Sequence, residues 1–151
     1  MSGDGARAWR LGGALCGLVI VLDQATKALA EANLAPGEEV ELLGPVGLTL
    51  SHNSGVAFGL ASGSGEALVL LGVVALVGIV GFLFAREPDR PGLWIATGLL
   101  AGGAFGNLID RVLEGEVTDY IDVLSWPAFN IADVAITVGI VLFALIYLRN
   151  E

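Results

Sequence analysis

Apolar residues run along this chain in four long blocks divided by short polar stretches. Ala67 to Ala85 carries no charge over 19 residues, and Gly92 to Ile109 none over 18. Trp126 to Leu148 gives 23 residues interrupted only by Asp133. The first block is shorter: Leu11 to Leu22 is uncharged, and the pattern resumes past Asp23 and Lys27 through Ala28-Leu29-Ala30. A helix that crosses a bilayer needs about 20 mostly apolar residues. The pattern therefore predicts an all-α membrane protein of one domain, residues 1–151, with four transmembrane helices over 9–30, 66–85, 92–111 and 131–149. Residues 33–65 read differently. Apolar positions alternate in Glu39-Val40-Glu41-Leu42 and in Val46-Gly47-Leu48-Thr49-Leu50, with turn signals at Pro36-Gly37 and Gly44-Pro45. Period two predicts two short strands, hence a small exoplasmic β-sheet insertion. Leu113 to Ala128 reads as a second, shorter loop.

Composition agrees with a membrane chain. It is 55% hydrophobic and only 15% charged, with a mean hydropathy of +0.78; soluble domains carry roughly 25% charged residues. Charge sets the orientation. In a four-span chain Arg7, Arg10, Arg86, Arg90 and Arg149 share one side, and Lys27 and Arg111 the other. Basic excess marks the cytoplasmic side, so both termini are expected there. Most acids fall at the exoplasmic helix ends and loops, and with them most of the net charge of −9. That acidity speaks against nucleic acid as a partner. One cysteine, Cys16, permits no intrachain disulfide, and one histidine, His52, leaves no ligand set of the usual kind. Neither a metal nor a cofactor is expected. Glycines within the spans (Gly72, Gly78, Gly81, Gly98, Gly102, Gly103, Gly106, Gly139) suit close helix packing. The N-terminus has a second reading: Arg7 and Arg10, an apolar core and Ala28-Leu29-Ala30 form a signal-peptide pattern. Asp23, Gln24 and Lys27, lying between core and cleavage site, oppose it.

Ionisable groups inside spans are costly and usually face a bundle interior. Here they gather at one depth. Asp23, Gln24 and Lys27 end the first helix, Asn107, Asp110 and Arg111 end the third, and Asn130 and Asp133 open the fourth. Each has a structural reading. Asn130 is a natural N-cap with Asp133 in the first turn, Lys27 could snorkel to the interface, Asp110 and Arg111 could pair, and Asn53 suits a turn. Together they suggest chemistry, because two neighbouring carboxylates divide into an acid and a base that activate water. Rivals from other classes are a proton carrier and a scaffold whose polar ends lock the bundle. The acids lie near one surface, which gives a through-membrane path little support.

Five blocks carry a family resemblance: DQATK (23–27), NSGVAFG (53–59), GGAFGNLIDR (102–111), VTDYID (117–122) and FNIAD (129–133). In order and spacing they resemble the signature blocks of the lipoprotein signal peptidases, the signal peptidase II family of four-helix bacterial membrane aspartyl proteases. The resemblance implies Asp119 and Asp133 as catalytic residues, supported by Asp23, Lys27, Asn53, Asn107, Asp110, Arg111 and Asn130. It implies no metal or cofactor, and a prolipoprotein substrate whose cysteine carries diacylglycerol, cut on the amino side of that cysteine. It further implies a multi-pass monomer in the bacterial cytoplasmic (inner) membrane, in contact with membrane lipid, its active site at the exoplasmic face. An outer β-cradle fits the strand pattern at 39–52. Placing DQATK in a retained first helix counts against a cleaved signal.

Overall fold

In the computed structural model the described residues are 3–54, 64–87, 89–124 and 126–149, with only the backbone course described for 64–72. Residues 55–59 of the NSGVAFG block lie outside them. The elements in chain order are α1 (Gly3–Asn33), β1 (Glu39–Leu43), β2 (Val46–Asn53), α2 (Ser64–Arg86), α3 (Leu93–Leu113), β3 (Val117–Val123) and α4 (Ile131–Leu148). By length and composition α1, α3 and α4 each suffice to cross a membrane, and α2 is apolar over its described part, Val73–Arg86. The 31 residues of α1 extend about 46 Å at 1.5 Å each, past a hydrocarbon core of about 30 Å. Helix α1 runs unbroken through Ala28-Leu29-Ala30, and Ala30 is buried in the bundle.

Helix α3 is the centre of the bundle, packed along both α1 and α4 and less extensively on α2. Glycine makes this possible. On the α1 side, a Cβ at Gly98 would lie 2.8 Å from the Gly12 carbonyl oxygen, one at Gly102 would lie 2.7 Å from Val19 Cβ, and one at Gly106 would lie 2.6 Å from Asp23 Oδ2. Gly103 abuts the Ala132 carbonyl of α4, and a Cβ at Gly139 would lie 2.7 Å from Leu100 Cγ. Four of these five glycines thus let α3 touch its neighbours backbone to backbone or backbone to side chain, and Gly139 does so from α4. Gly78 and Gly81 differ, since among the described residues a Cβ at either would meet nothing within 4 Å. The bundle end away from the polar cluster is closed by Ala8, Phe84 and Leu93, with Trp94, Phe143 and Tyr147 packed against them. There Arg90 lies 3.8 Å over the Tyr147 ring and donates to the Ile146 carbonyl at 3.4 Å.

The sheet has three antiparallel strands in the order β1-β2-β3. Its third strand corrects the sequence reading, which leaves Leu113 to Ala128 as a loop. Val117, Thr118, Asp119 and Tyr120 are all buried, so no alternation of apolar and polar residues marks the strand. One face of β3 is tied to α1 and the other to the start of α4, which hides the period-two signal. Pairing of Asn53 with Val117, and of Ser51 with Asp119, brings the end of β2 beside Asp119.

Candidate active site

Lys27 is the electrostatic centre of the polar cluster. It is only 3% exposed, so it does not snorkel. Its ammonium lies 2.7 Å from Asp23 Oδ2 and 2.6 Å from Asp110 Oδ2, and donates to Asn107 Oδ1 at 3.0 Å. The Asp23 pair spans one turn of α1, and the Asp110 pair joins α1 to α3. Gln24 Nε2 adds a donor to Asp110 Oδ1 at 2.7 Å. Asp23 Oδ1 accepts the Ala132 backbone N–H at 2.9 Å, which ties in the first turn of α4. A buried charge persists only when paired and hydrogen-bonded, and here one cation holds two carboxylates from two helices. The Asp110–Arg111 pair considered from sequence is replaced by this arrangement. Arg111 instead donates to the Asn107 carbonyl at 3.2 Å and borders a cavity beside Asp133.

Two asparagines carry this order to Asp119 and Asp133. Asn107, fixed by Lys27 through its Oδ1, donates Nδ2 to Asp133 Oδ1 at 2.8 Å. Asn130 is wholly buried and caps α4 with a full capping box: its Oδ1 accepts from the Asp133 backbone N–H at 2.9 Å, and its own N–H donates to Asp133 Oδ2 at 3.2 Å. The same Asn130 donates Nδ2 to Asp119 Oδ1 at 2.8 Å and toward Asn107 Oδ1 at 3.0 Å. One residue therefore hydrogen-bonds both carboxylates. Asn53, from the end of β2, donates to Asp119 Oδ2 at 3.1 Å.

Asp119 is 2% exposed, and this burial above all lifts its pKa from 3.8 to about 6. The negative charge of Asp133 lifts it further, while the Asn53 and Asn130 amides and the more distant Lys27 charge oppose the rise. Asp133 borders two cavities. One, of about 210 Å³, includes Asn107, Arg111 and Ile136 in its walls, and the other, of about 320 Å³, includes Trp126, Phe129 and Val138. The walls are mostly apolar. Among the described residues no group of three His, Cys, Asp or Glu side chains is arranged to hold a metal.

The structure thus gathers Asp23, Lys27, Asn53, Asn107, Asp110, Asn130, Asp119 and Asp133 into one network, with Arg111 at its edge. It adds residues the sequence reading did not single out. Tyr120 Oη donates to Thr26 Oγ1 at 2.7 Å, and Thr118 Oγ1 donates to Glu31 Oε1 at 2.7 Å. Both bonds tie the strand that bears Asp119 to α1. Nothing in the periodicity pointed to them, since Thr26 is half-buried and Glu31 exposed on α1.

Known proteins resemble this arrangement over nearly the whole chain. The family described as Signal peptidase (SPase) II matches residues 15–149. A lipoprotein signal peptidase of Moorella thermoacetica is 41% identical over 128 residues, which are 83% of this chain and 84% of that protein. One from Chlorobium phaeobacteroides is 41% identical over 146 residues, 87% of this chain and 92% of that protein. A solved structure described as a bacterial membrane enzyme, obtained by the in meso method at 1.9 Å, superposes with a TM-score of 0.73. It is 29% identical and covers 93% of this chain and 94% of its own. The family match takes in Asp119, Asp133 and the lysine that anchors their network, and the chain belongs to the signal peptidase II family of membrane-embedded proteases.

Proposed function

We propose that this protein cleaves the signal peptide from prolipoproteins whose cysteine carries diacylglycerol, on the amino side of that cysteine, with Asp119 and Asp133 as the catalytic pair. The observation that carries the reading is Asn130, which hydrogen-bonds both carboxylates and fixes them on β3 and α4. With one carboxylate ionised and the other protonated, the ionised one takes a proton from water as the oxygen attacks the scissile carbonyl carbon. The protonated one supports the developing oxyanion. As the tetrahedral intermediate collapses, the C–N bond breaks and the cysteine's amino group leaves with the proton the base had taken. Asn107, Asn53 and Asn130 orient the pair, and the Asp23–Lys27–Asp110 cluster holds Asn107 and the start of α4 in place. Arg111, beside Asp133 and its cavity, is placed to meet the peptide backbone or ester oxygens of the substrate.

The apolar cavities beside Asp133 suit a substrate whose acyl chains stay in lipid. On this reading four spans, near 9–30, 66–85, 92–111 and 131–149, cross the bacterial cytoplasmic (inner) membrane. Both termini are cytoplasmic, the site lies at the exoplasmic face, and one chain suffices because its own helices complete the network. The test is cleavage of a diacylglyceryl-modified prolipoprotein by purified protein in detergent. Asp119→Asn and Asp133→Asn each remove an acid–base group worth about 10²–10⁴-fold and leave the shape intact. A folded variant of either kind that cleaves at a near-normal rate removes that residue from the catalytic pair.

A further inference from the structure

The far end of the sheet carries an apolar surface to which catalysis assigns no role. Leu43 is 84% exposed, Leu124 74%, Trp126 71% and Leu42 57%. These residues adjoin. Leu43 pairs with Val46, and Val46 with Val123. The Leu124 N–H donates to the Pro45 carbonyl at 3.0 Å, and the Trp126 N–H to the Val123 carbonyl at 3.1 Å. The β1–β2 turn and the exit of β3 therefore form one tip. Adjoining exposed apolar side chains of this kind mark an interaction surface.

The neighbouring helix identifies what covers it. Trp126 and Phe129 share a cavity with Val134, Thr137 and Val138 of α4. Val134, Val138, Val141 and Leu145 are 40–52% exposed and spaced four, three and four apart, which is one face of a helix. On a membrane-spanning helix such a face meets lipid. The tip extends that lipid-facing side beyond the helix start. The charged side chains beside the same turn are acidic: Glu39, Glu41 and Asp122 line a shallow hollow there. Acids repel anionic headgroups, so contact with a membrane at this point is apolar, and Trp126 supplies the amphipathic ring favoured at a membrane–water boundary.

We propose that the tip formed by Leu42, Leu43, Val46, Leu124 and Trp126 dips into the bilayer interface and anchors the sheet at the end away from Asn53 and Val117. Strand β3 is then held twice, by Asn130 and Asn53 at Asp119 and by lipid just past Val123. The inference rests on α4 lying in the membrane and not on the roles of the aspartates.

The test uses the full chain in phosphatidylcholine vesicles. Cys16→Ser removes the native thiol, and single cysteines at Leu43, Leu124 or Glu39 carry an environment-sensitive fluorophore. Glu39 lies four residues back along β1, about 13 Å away at strand rise. Quenchers are a lipid nitroxide near the top of the acyl chain and aqueous iodide. The Leu43 and Leu124 labels should be quenched several-fold more by the lipid nitroxide than the Glu39 label, with iodide reversing the order. Adding anionic phospholipid should not strengthen the effect. Iodide reaching all three labels alike puts the tip in water and overturns the proposal. Shielding of Leu43 and Leu124 from both quenchers means that protein covers the tip, which overturns it as well. The two tip labels, on different strands, guard against a local disturbance of the turn by either substitution.

Discussion

Asp119→Asn should make this protein more stable relative to wild type as pH rises, and the size of the effect follows from where Asp119 sits. Its carboxyl moves from 3.8 to about 6 on folding, chiefly through burial. At about 1.4 kcal/mol per tenfold, the ionised form is roughly 3 kcal/mol harder to hold in the folded chain than in the unfolded one. The sign follows from proton counts. Between those two values the folded chain keeps a proton that the unfolded chain has released, so stability falls as pH rises through that window. The penalty is absent below both values and complete above about 6. Asparagine never ionises and never incurs it. The substitution has its own cost, because Asn53 and Asn130 each donate to a different oxygen of Asp119, and one of them would face an amide NH₂. That cost, about 1–3 kcal/mol for an unsatisfied buried group, is nearly independent of pH. The stability difference between variant and wild type should therefore shift in the variant's favour by about 2 kcal/mol between pH 4.5 and pH 8. Unfolding in mixed micelles of rising SDS fraction, followed by tryptophan fluorescence at both pH values, measures it. Since each variant is compared with wild type at the same pH, titrations of groups that do not interact with Asp119 cancel. A difference that stays constant with pH, or shifts the other way, would refute the view that Asp119 is held as a costly buried carboxylate.

Other consequences are equally direct. Lys27→Met strips two buried carboxylates of their cation, so unfolding in the same assay should become easier by about 3–5 kcal/mol, and cleavage should fall with it. Gly106→Ala places a methyl 2.6 Å from Asp23 Oδ2, within the Lys27 cluster; it should cost about 1–3 kcal/mol by overpacking, while Gly81→Ala, facing open space, should leave melting unchanged. A reporter active only outside the cytoplasm should be active when fused after Glu38 and silent after Arg90, and the reverse would invert the proposed orientation. Tyr120→Phe removes a hydroxyl 2.7 Å from Thr26 Oγ1 and should lower kcat more than it raises KM if that bond aligns the strand bearing Asp119; equal melting and unchanged kinetics would leave the bond without a role.

Where side chains were going to meet was legible to different degrees along the chain. The helices follow from uncharged blocks, because lipid admits few other patterns. The site residues stand out for the same reason: Asp23, Lys27, Asn107 and Asp110 interrupt apolar segments where a polar group needs a partner. Their pairing was not legible. Asp23 lies one turn from Lys27 on the same helix, but only the closeness of α1 and α3 at Gly102 and Gly106 brings Asp110 to it as well. Strand β3 was hidden because Asp119 occupies a buried position, where a carboxylate reads as a break in a strand. The buried carboxylate erased the structural signal that would have located it. Gly78 and Gly81 show the opposite error, since a small residue in a span signals close packing only when a neighbouring helix comes to it.

Asn130 shows why the structural and chemical readings of one residue need not compete. A helix N-cap must accept from the third backbone N–H, and in a capping box that third residue reaches back to the cap. Those two requirements fix the Asp133 carboxylate to within a hydrogen bond of the cap before any chemistry is asked of it. They use only the Asn130 side-chain oxygen and backbone N–H, and leave its Nδ2 group free to donate toward Asp119 Oδ1 and Asn107 Oδ1. Aspartate or serine would also cap the helix, but neither supplies an NH₂. An asparagine cap therefore couples the start of α4 to β3 and α3 at once, whereas Asn130→Asp would keep the cap and set a third carboxylate against Asp119. The two substitutions separate the roles: Asn130→Asp should preserve the helix start yet lose cleavage, and Asn130→Ala should lose both, with melting lowered by about 1 kcal/mol or more for the missing cap. If Asn130→Asp cleaves normally, the Nδ2 donation to Asp119 has no part in the reaction.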